Sequence, residues 1–182
     1  MPVRIVEDLM LPLDRYPRVS ADAVLSDALA ALRQARQQGP LGSEPARAVL
    51  VVETDGAVSG KISLWAILRA LDPRLRTRSK VSPLVRTDMA AELLAAGEPG
   101  SGVADGDFQE CCRAAAAVAV RDVMLSTRES VEATAPIGQA VEKMVLHRAQ
   151  SLLVTRGPRV VGIIRLSDVA EQVMDEVLAH EA

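Results

Sequence analysis

Val58-Ser59-Gly60-Lys61-Ile62-Ser63-Leu64 and Val160-Val161-Gly162-Ile163-Ile164-Arg165-Leu166 are two versions of one pattern, V-x-G-x-I-x-L. The identities fall on alternating positions, which is what one face of a β-strand preserves. Immediately upstream of each copy is a second apolar run, Ala48-Val49-Leu50-Val51-Val52 in the first and Ser151-Leu152-Leu153-Val154-Thr155 in the second. The residues between the paired runs are turn formers, Thr54-Asp55-Gly56-Ala57 and Arg156-Gly157-Pro158. An Asp-Gly pair between two strand-like runs is a strong hairpin signal. Each copy therefore predicts a β-hairpin that runs straight into a helix, beginning near Leu64 or Ser167.

The repetition extends outward. Val19 to Leu32 aligns without a gap to Val131 to Met144, with Val19/Val131, Ala21/Ala133, Ala23/Ala135 and Ala28/Ala140 identical. Within it, Leu25, Ala28, Leu29 and Leu32, and likewise Ile137, Ala140, Val141 and Met144, follow the i, i+3, i+4, i+7 spacing of an amphipathic helix. Pro136 fits the start of such a helix. Short strands are expected just before these helices, around Pro17 to Ser20 and Ser130 to Ala133. Further upstream each copy opens alike, with Val6-Glu7-Asp8-Leu9-Met10 and Val120-Arg121-Asp122-Val123-Met124. The repeat is too long for a solenoid unit and marks two copies of one small α/β unit.

Between the copies, roughly Pro73 to Val118, the character changes. A basic run (Arg74, Arg76, Arg78, Lys80) is followed by an expected short helix, Asp88 to Ala96, and by the loop Gly97-Glu98-Pro99-Gly100-Ser101-Gly102. A second helix is expected from Phe108 to Ala119. The basic run reads as a solvated face ahead of a phosphate site. In the first copy, Gln37 to Ser43 is a polar loop insertion that the second copy lacks.

Composition narrows the function classes. The chain has 182 residues, 49% hydrophobic but only 2% aromatic, so Ala, Val and Leu fill its interior. Each copy alone has about 60 residues, a size at which burial is marginal, so a shared core is expected. A net charge of −3 supplies no basic footprint for nucleic acid or a membrane surface. No apolar run approaches the ~18 residues that span a bilayer, and the N-terminus lacks a signal-peptide stretch, so a cytoplasmic protein is expected. Cys111 and Cys112 are adjacent and have no second cysteine pair for zinc, so both read as helix residues; no metal site is expected. His147 and His180 stand alone, with surface positions as the default.

With V-x-D-[LV]-M opening each copy and V-x-G-x-I-x-L closing each hairpin, the chain resembles the tandem cystathionine-β-synthase (CBS) domain pair, or Bateman module, over nearly its whole length. The segment Gly162 to Val169 is most similar to the family. Met10 to Pro17, Ser63 to Pro73 and Glu110 to Ala115 resemble stand-alone bacterial CBS-pair proteins. The resemblance implies an α/β (α+β) fold: two CBS repeats packed as one pseudo-two-fold module, each a small sheet with helices on one face, and a helical insertion between them. It divides the chain into repeat 1 (1–73), the insertion (74–118) and repeat 2 (119–182). It also implies a homodimer, built on the stripes Val169, Val173, Met174, Val177 and Leu64, Ile67, Leu68, Leu71.

In CBS pairs of known ligand, adenosyl compounds lie in clefts between the repeats. Their usual signature is Gly, two apolar residues, Ser or Thr, two variable residues, then Asp. A carboxylate at a helix start accepts bonds from both ribose hydroxyls, while the hydroxyl residue and the helix N-terminus meet phosphate. This chain splits the signature. Copy one has Gly60-Lys61-Ile62-Ser63 but Ala66 in place of Asp; copy two has Gly162-Ile163-Ile164 and Asp168, but Arg165 in place of Ser or Thr. The adenine-side segment of copy two carries Arg128 and Glu129 where apolar residues are usual. The candidate ligand residues are thus Asp168, Arg165, Gly162, Ile163, Ile164 and Ser63.

Each has a structural alternative. Asp168 reads equally as a helix-start charge. Ser63 reads more readily as an N-cap, and Arg165 either as a phosphate donor or as a partner of Asp168 or of a surface acid. The function expected is a non-catalytic regulatory or sensory module, with no cofactor, that binds AMP, ADP, ATP or S-adenosylmethionine in the cleft between the repeats and acts on an unidentified regulated protein. The alternative is a ligand-independent dimeric interaction module with degenerate clefts. An enzyme finds no support in a phosphate loop, paired histidines or a nucleophile beside a base.

Overall fold

The computed structural model describes residues 5–39, 45–73, 75, 107–127 and 130–179. The expected helix at Asp88 to Ala96, the basic run from Arg74, the loop at Gly97 to Gly102, Arg128, Glu129 and His180 lie outside those residues.

Strands and helices fall where alternation and helical spacing place them. In the first half β2 is Arg18–Ser20, α1 is Leu25–Gln37, β3 is Ala48–Val52, β4 is Val58–Ser63 and α2 is Leu64–Ala70. α3 (Phe108–Ala116) and the short α4 (Val120–Val123) follow. In the second half β6 is Ser130–Glu132, α5 is Ile137–His147, β7 is Ser151–Arg156, β8 is Arg159–Arg165 and α6 is Leu166–Ala179. Both hairpins turn at a glycine with positive φ, Gly56 at 83° and Gly157 at 59°, a region where glycine carries no steric cost. Pro136 caps α5 from one residue outside the helix.

Two further strands carry no periodic signal because each is two residues long: β1, Leu11–Pro12, and β5, Leu125–Ser126. They complete two four-stranded sheets, β1-β8-β7-β6 and β2-β3-β4-β5. In each, the hairpin is antiparallel and the strand preceding the long helix runs parallel to the hairpin's first strand. The fold is mixed α/β, as expected, with a fourth strand in each sheet that the repeat pattern did not announce.

The source of that strand explains the repeated motifs. The chain divides into two compact units, one formed by residues 1–16 with 126–182 and the other by 17–125. These units are not the sequence repeats, because each opening segment belongs with the other copy's hairpin. β1 pairs antiparallel with β8, with Leu11 opposite Ile163 and Pro12 opposite Gly162. A Cβ on Gly162 would sit 2.6 Å from Met10 Sδ and 2.8 Å from the Leu11 carbonyl oxygen. A Cβ on Gly60 would sit 2.5 Å from the Leu125 carbonyl oxygen and 3.1 Å from Met124 Sδ. The glycine of V-x-G-x-I-x-L is therefore the landing site for the methionine that ends V-x-D-[LV]-M, in crossed pairs. Only glycine permits so close an approach.

Each unit has its own core of small aliphatic side chains. One gathers Val19, Leu25, Ala28, Leu32, Val49, Val51, Ile62 and Ala66 with Val120 and Val123. The other gathers Val131, Ala140, Met144, Leu152, Val154, Ile164 and Val169 with Val6. α3 falls within the stretch read as an insertion, yet Ala115 is buried in the first core and α3 packs on α1. Cys111 and Cys112 lie on α3 as free thiols, half-buried and exposed.

The apolar stripes read for the dimer are partly used internally. Val169 is buried in its own core, and Leu64, Ile67 and Leu71 pack against theirs. Of those stripes Leu68 on α2 and Val173, Met174 and Val177 on α6 remain exposed, together with Trp65 on α2 and Leu166 and Leu178 on α6. His147, at the end of α5, is partly exposed.

Candidate functional site

The second hairpin hands the chain directly to a helix, with β8 ending at Arg165 and α6 beginning at Leu166. The Leu166 N–H donates to the Gln150 carbonyl at 2.9 Å, tying the helix start to the residue before β7. Asp168 lies in the first turn of α6, where a carboxylate complements the unpaired N–H groups of the helix end. Arg165 is 8% exposed and stands opposite Ser151 in the ladder. Its guanidinium folds back over the helix start and holds Asp168 with two parallel bonds, Nε donating to Oδ2 at 2.6 Å and the terminal nitrogen to Oδ1 at 2.5 Å. The two side chains keep 10% and 16% of their exposure. Of the roles the sequence left open for Arg165, the structure forms the ion pair with Asp168.

Gly162, Ile163 and Ile164 lead into this junction. Gly162 is occupied by the approach of Met10 and Leu11. Ile164 is fully buried in the core, and Ile163, also fully buried, points to the opposite face of β8. Their side chains support the junction; the polar chemistry belongs to Arg165 and Asp168.

The corresponding junction of the first half is built differently. Ser63 ends β4 at 6% exposure, and its Oγ accepts a bond from the Ala66 N–H at 3.2 Å, which makes it the N-cap of α2. Ala66, at the position of Asp168, is fully buried in the first core. Ser63 belongs to the unit of residues 17–125, and Arg165 and Asp168 to the other.

Two polar features went unread in the sequence. Lys61 is 1% exposed, on the face of β4 opposite Ile62 and across from Leu50. The signal was available, since the second copy has Ile163 at that position. The other is an ion cluster: Arg121 donates to Asp22 at 3.1 and 3.2 Å and to Glu53 at 2.7 and 3.0 Å. The Arg121 guanidinium holds the Glu53 carboxyl below its usual range, and Glu53 raises Arg121 in return. Among the described residues, no group of three or more His, Cys, Asp or Glu could hold a metal ion, and no helix is long and apolar enough to cross a membrane.

Residues 120–175 match the family model of the CBS domain. Solved structures carry the fold across the remainder. The CBS-domain containing protein from Agrobacterium tumefaciens is 20% identical, with 93% of this chain and 92% of that chain covered and a TM-score of 0.57. The CBS protein CBSX2, solved in complex with AMP, is 16% identical over 94% of this chain and 96% of that one, with a TM-score of 0.57. The cytosolic domain of the Mg2+ channel MgtE, in complex with ATP, is 18% identical, covering 90% of this chain and 46% of that one, with a TM-score of 0.51. At such identities the likeness establishes the architecture, that of a CBS pair. No curated protein matches the chain by sequence.

Proposed function

We propose that the chain is a non-catalytic, cytoplasmic regulatory module that binds an adenosyl ligand, AMP, ADP, ATP or S-adenosylmethionine, through the CBS domain of its second half. The observation that carries this reading is the placement of Asp168: a partly exposed carboxylate in the first turn of α6, beside a guanidinium, in the domain that matches the family. A ribose offers two adjacent hydroxyls that such a carboxylate accepts together. Released from Asp168, Arg165 becomes a bidentate donor for phosphate. The AMP and ATP complexes of CBSX2 and MgtE support the ligand class. The regulated protein is a separate partner, and the module works as a homodimer through the exposed apolar residues of α6 and α2.

A specific observation favours the second reading, a ligand-independent dimeric interaction module. Each recognition position is already satisfied within the chain, Asp168 by Arg165 and Ser63 by the Ala66 N–H. A thermal-shift panel of AMP, ADP, ATP and S-adenosylmethionine separates the two. A ligand present at 100 times its dissociation constant adds about 2.7 kcal/mol of apparent stability. A shift with one of the four supports the sensory module; no shift with any of them transfers support to the interaction module. Light scattering tests the dimer, and a monomer at micromolar concentration would remove that part of the proposal.

A further inference from the structure

The two opening segments dock through the same contacts. The Val6 N–H donates to the Ala135 carbonyl at 2.9 Å, and the Val120 N–H to the Ala23 carbonyl at 2.9 Å. Ile5 bridges Pro136, and Ala119 bridges Val24. Met10 lies against Gly162 and Met124 against Gly60. The backbone bonds and the identical pairs Val6/Val120, Met10/Met124 and Leu11/Leu125 thus do not distinguish one opening from the other.

One position differs in sign: Glu7 in the first opening, Arg121 in the second. The hairpin positions they meet differ in sign too. Glu53 and Arg156 each lie two residues beyond the valine that pairs with the landing glycine, Val51 with Gly60 and Val154 with Gly162. Arg121 pairs with Glu53, and Glu7 with Arg156. Asp22 adds a second acid beside Arg121 where the second copy has Thr134. In uncrossed docking Glu7 would face Glu53 and Arg121 would face Arg156.

We infer that these charge-reversed pairs are a sorting code that directs each opening segment to the other copy's hairpin. All four side chains are at least 29% exposed, so attraction in the correct arrangement is weak. Discrimination comes from the repulsion that would arise at both sites in the wrong one, the device by which near-identical partners are kept apart. The connectors are short: only Leu13 to Pro17 separate β1 from β2, and residues 127–129 separate β5 from β6. A mis-sorted opening would therefore misplace the strand that follows it.

The test keeps the local ion pairs and removes only the code. In the variant Glu7→Arg with Arg156→Glu, both openings are basic and both hairpin positions acidic, so complementary pairs exist in either docking. Methyl-labelled methionine spectra of the wild-type protein should show Met10 in contact with Gly162 and Met124 with Gly60, as one set of signals. The double variant should show two sets, with Met10 also in contact with Gly60 in at least about a tenth of molecules, against under about a hundredth in wild type. Adding Arg121→Glu, Glu53→Arg and Asp22→Asn restores opposite codes and should return one set. If the double variant fails to fold while the full reversal folds with native contacts, the code stands. A double variant with native contacts alone, or failure of both variants to fold, would overturn it.

Discussion

Two strand-to-helix junctions at equivalent positions of an internal repeat solve the same problem with different chemistry. At the first, a neutral hydroxyl, Ser63, caps α2 through the Ala66 N–H, and Ala66 completes the core. At the second, Arg165 and Asp168 take those two positions and form a partly buried ion pair. The spacing of three residues is kept while the energetics change. A cap of the first kind satisfies one backbone donor, but the second holds two charges whose worth depends on each other. The first junction holds a neutral cap over a buried alanine, whereas the second holds the carboxylate and guanidinium on which the proposed nucleotide binding rests.

Ala66→Asp probes that contrast most harshly. The carboxylate would enter a fully buried site, and the loss should be about 3 kcal/mol or more in urea unfolding. A mild effect would mean that the first junction opens as readily as the second. Asp168→Ala comes next. It leaves Arg165, with a side chain only 10% exposed, without its carboxylate, for an expected loss of about 2–3 kcal/mol. Combining it with Arg165→Ser transplants the first junction's solution and should recover most of that loss, so a double variant no better than the single would break the equivalence. Ser63→Ala removes one cap bond and should cost about 1 kcal/mol.

The smallest effect is a pH dependence confined to the first half. Arg121 depresses the Glu53 carboxyl, so folding gains stability from it that is present above the ordinary carboxylate value and is lost as pH falls through the depressed one. Arg121 is raised and stays charged throughout that range. Acid unfolding should therefore be less steep in Glu53→Gln below about pH 4.3, the ordinary glutamate value; an unchanged slope would remove the linkage.

The hairpins were legible because alternation and turn chemistry act over a few neighbouring residues. Ala48 to Val52 and Val58 to Ser63 emerged with the boundaries the structure has. β1 and β5 were not, since two residues of ladder leave no period to detect. The repeated glycines were visible as identities, but their reason, the approach of a methionine from the other copy's opening, is long-range and has no local signature. The same limit hid the crossing of the openings. At the candidate site the sequence identified Arg165 and Asp168 and left their relation open. That relation rests on a guanidinium turning back over one helical turn, which spacing permits but does not impose.

Titration calorimetry of AMP and ATP into the wild-type protein and into Asp168→Asn, which keeps the shape of the side chain while removing its charge, tests the role of this carboxylate most directly. Saturable binding of at least one nucleotide to wild type is expected, with a ten- to hundredfold loss in the variant, about 1.5–3 kcal/mol. Equal affinity in the two proteins, with both shown to be folded, would contradict it and leave Asp168 as a partner for Arg165 alone.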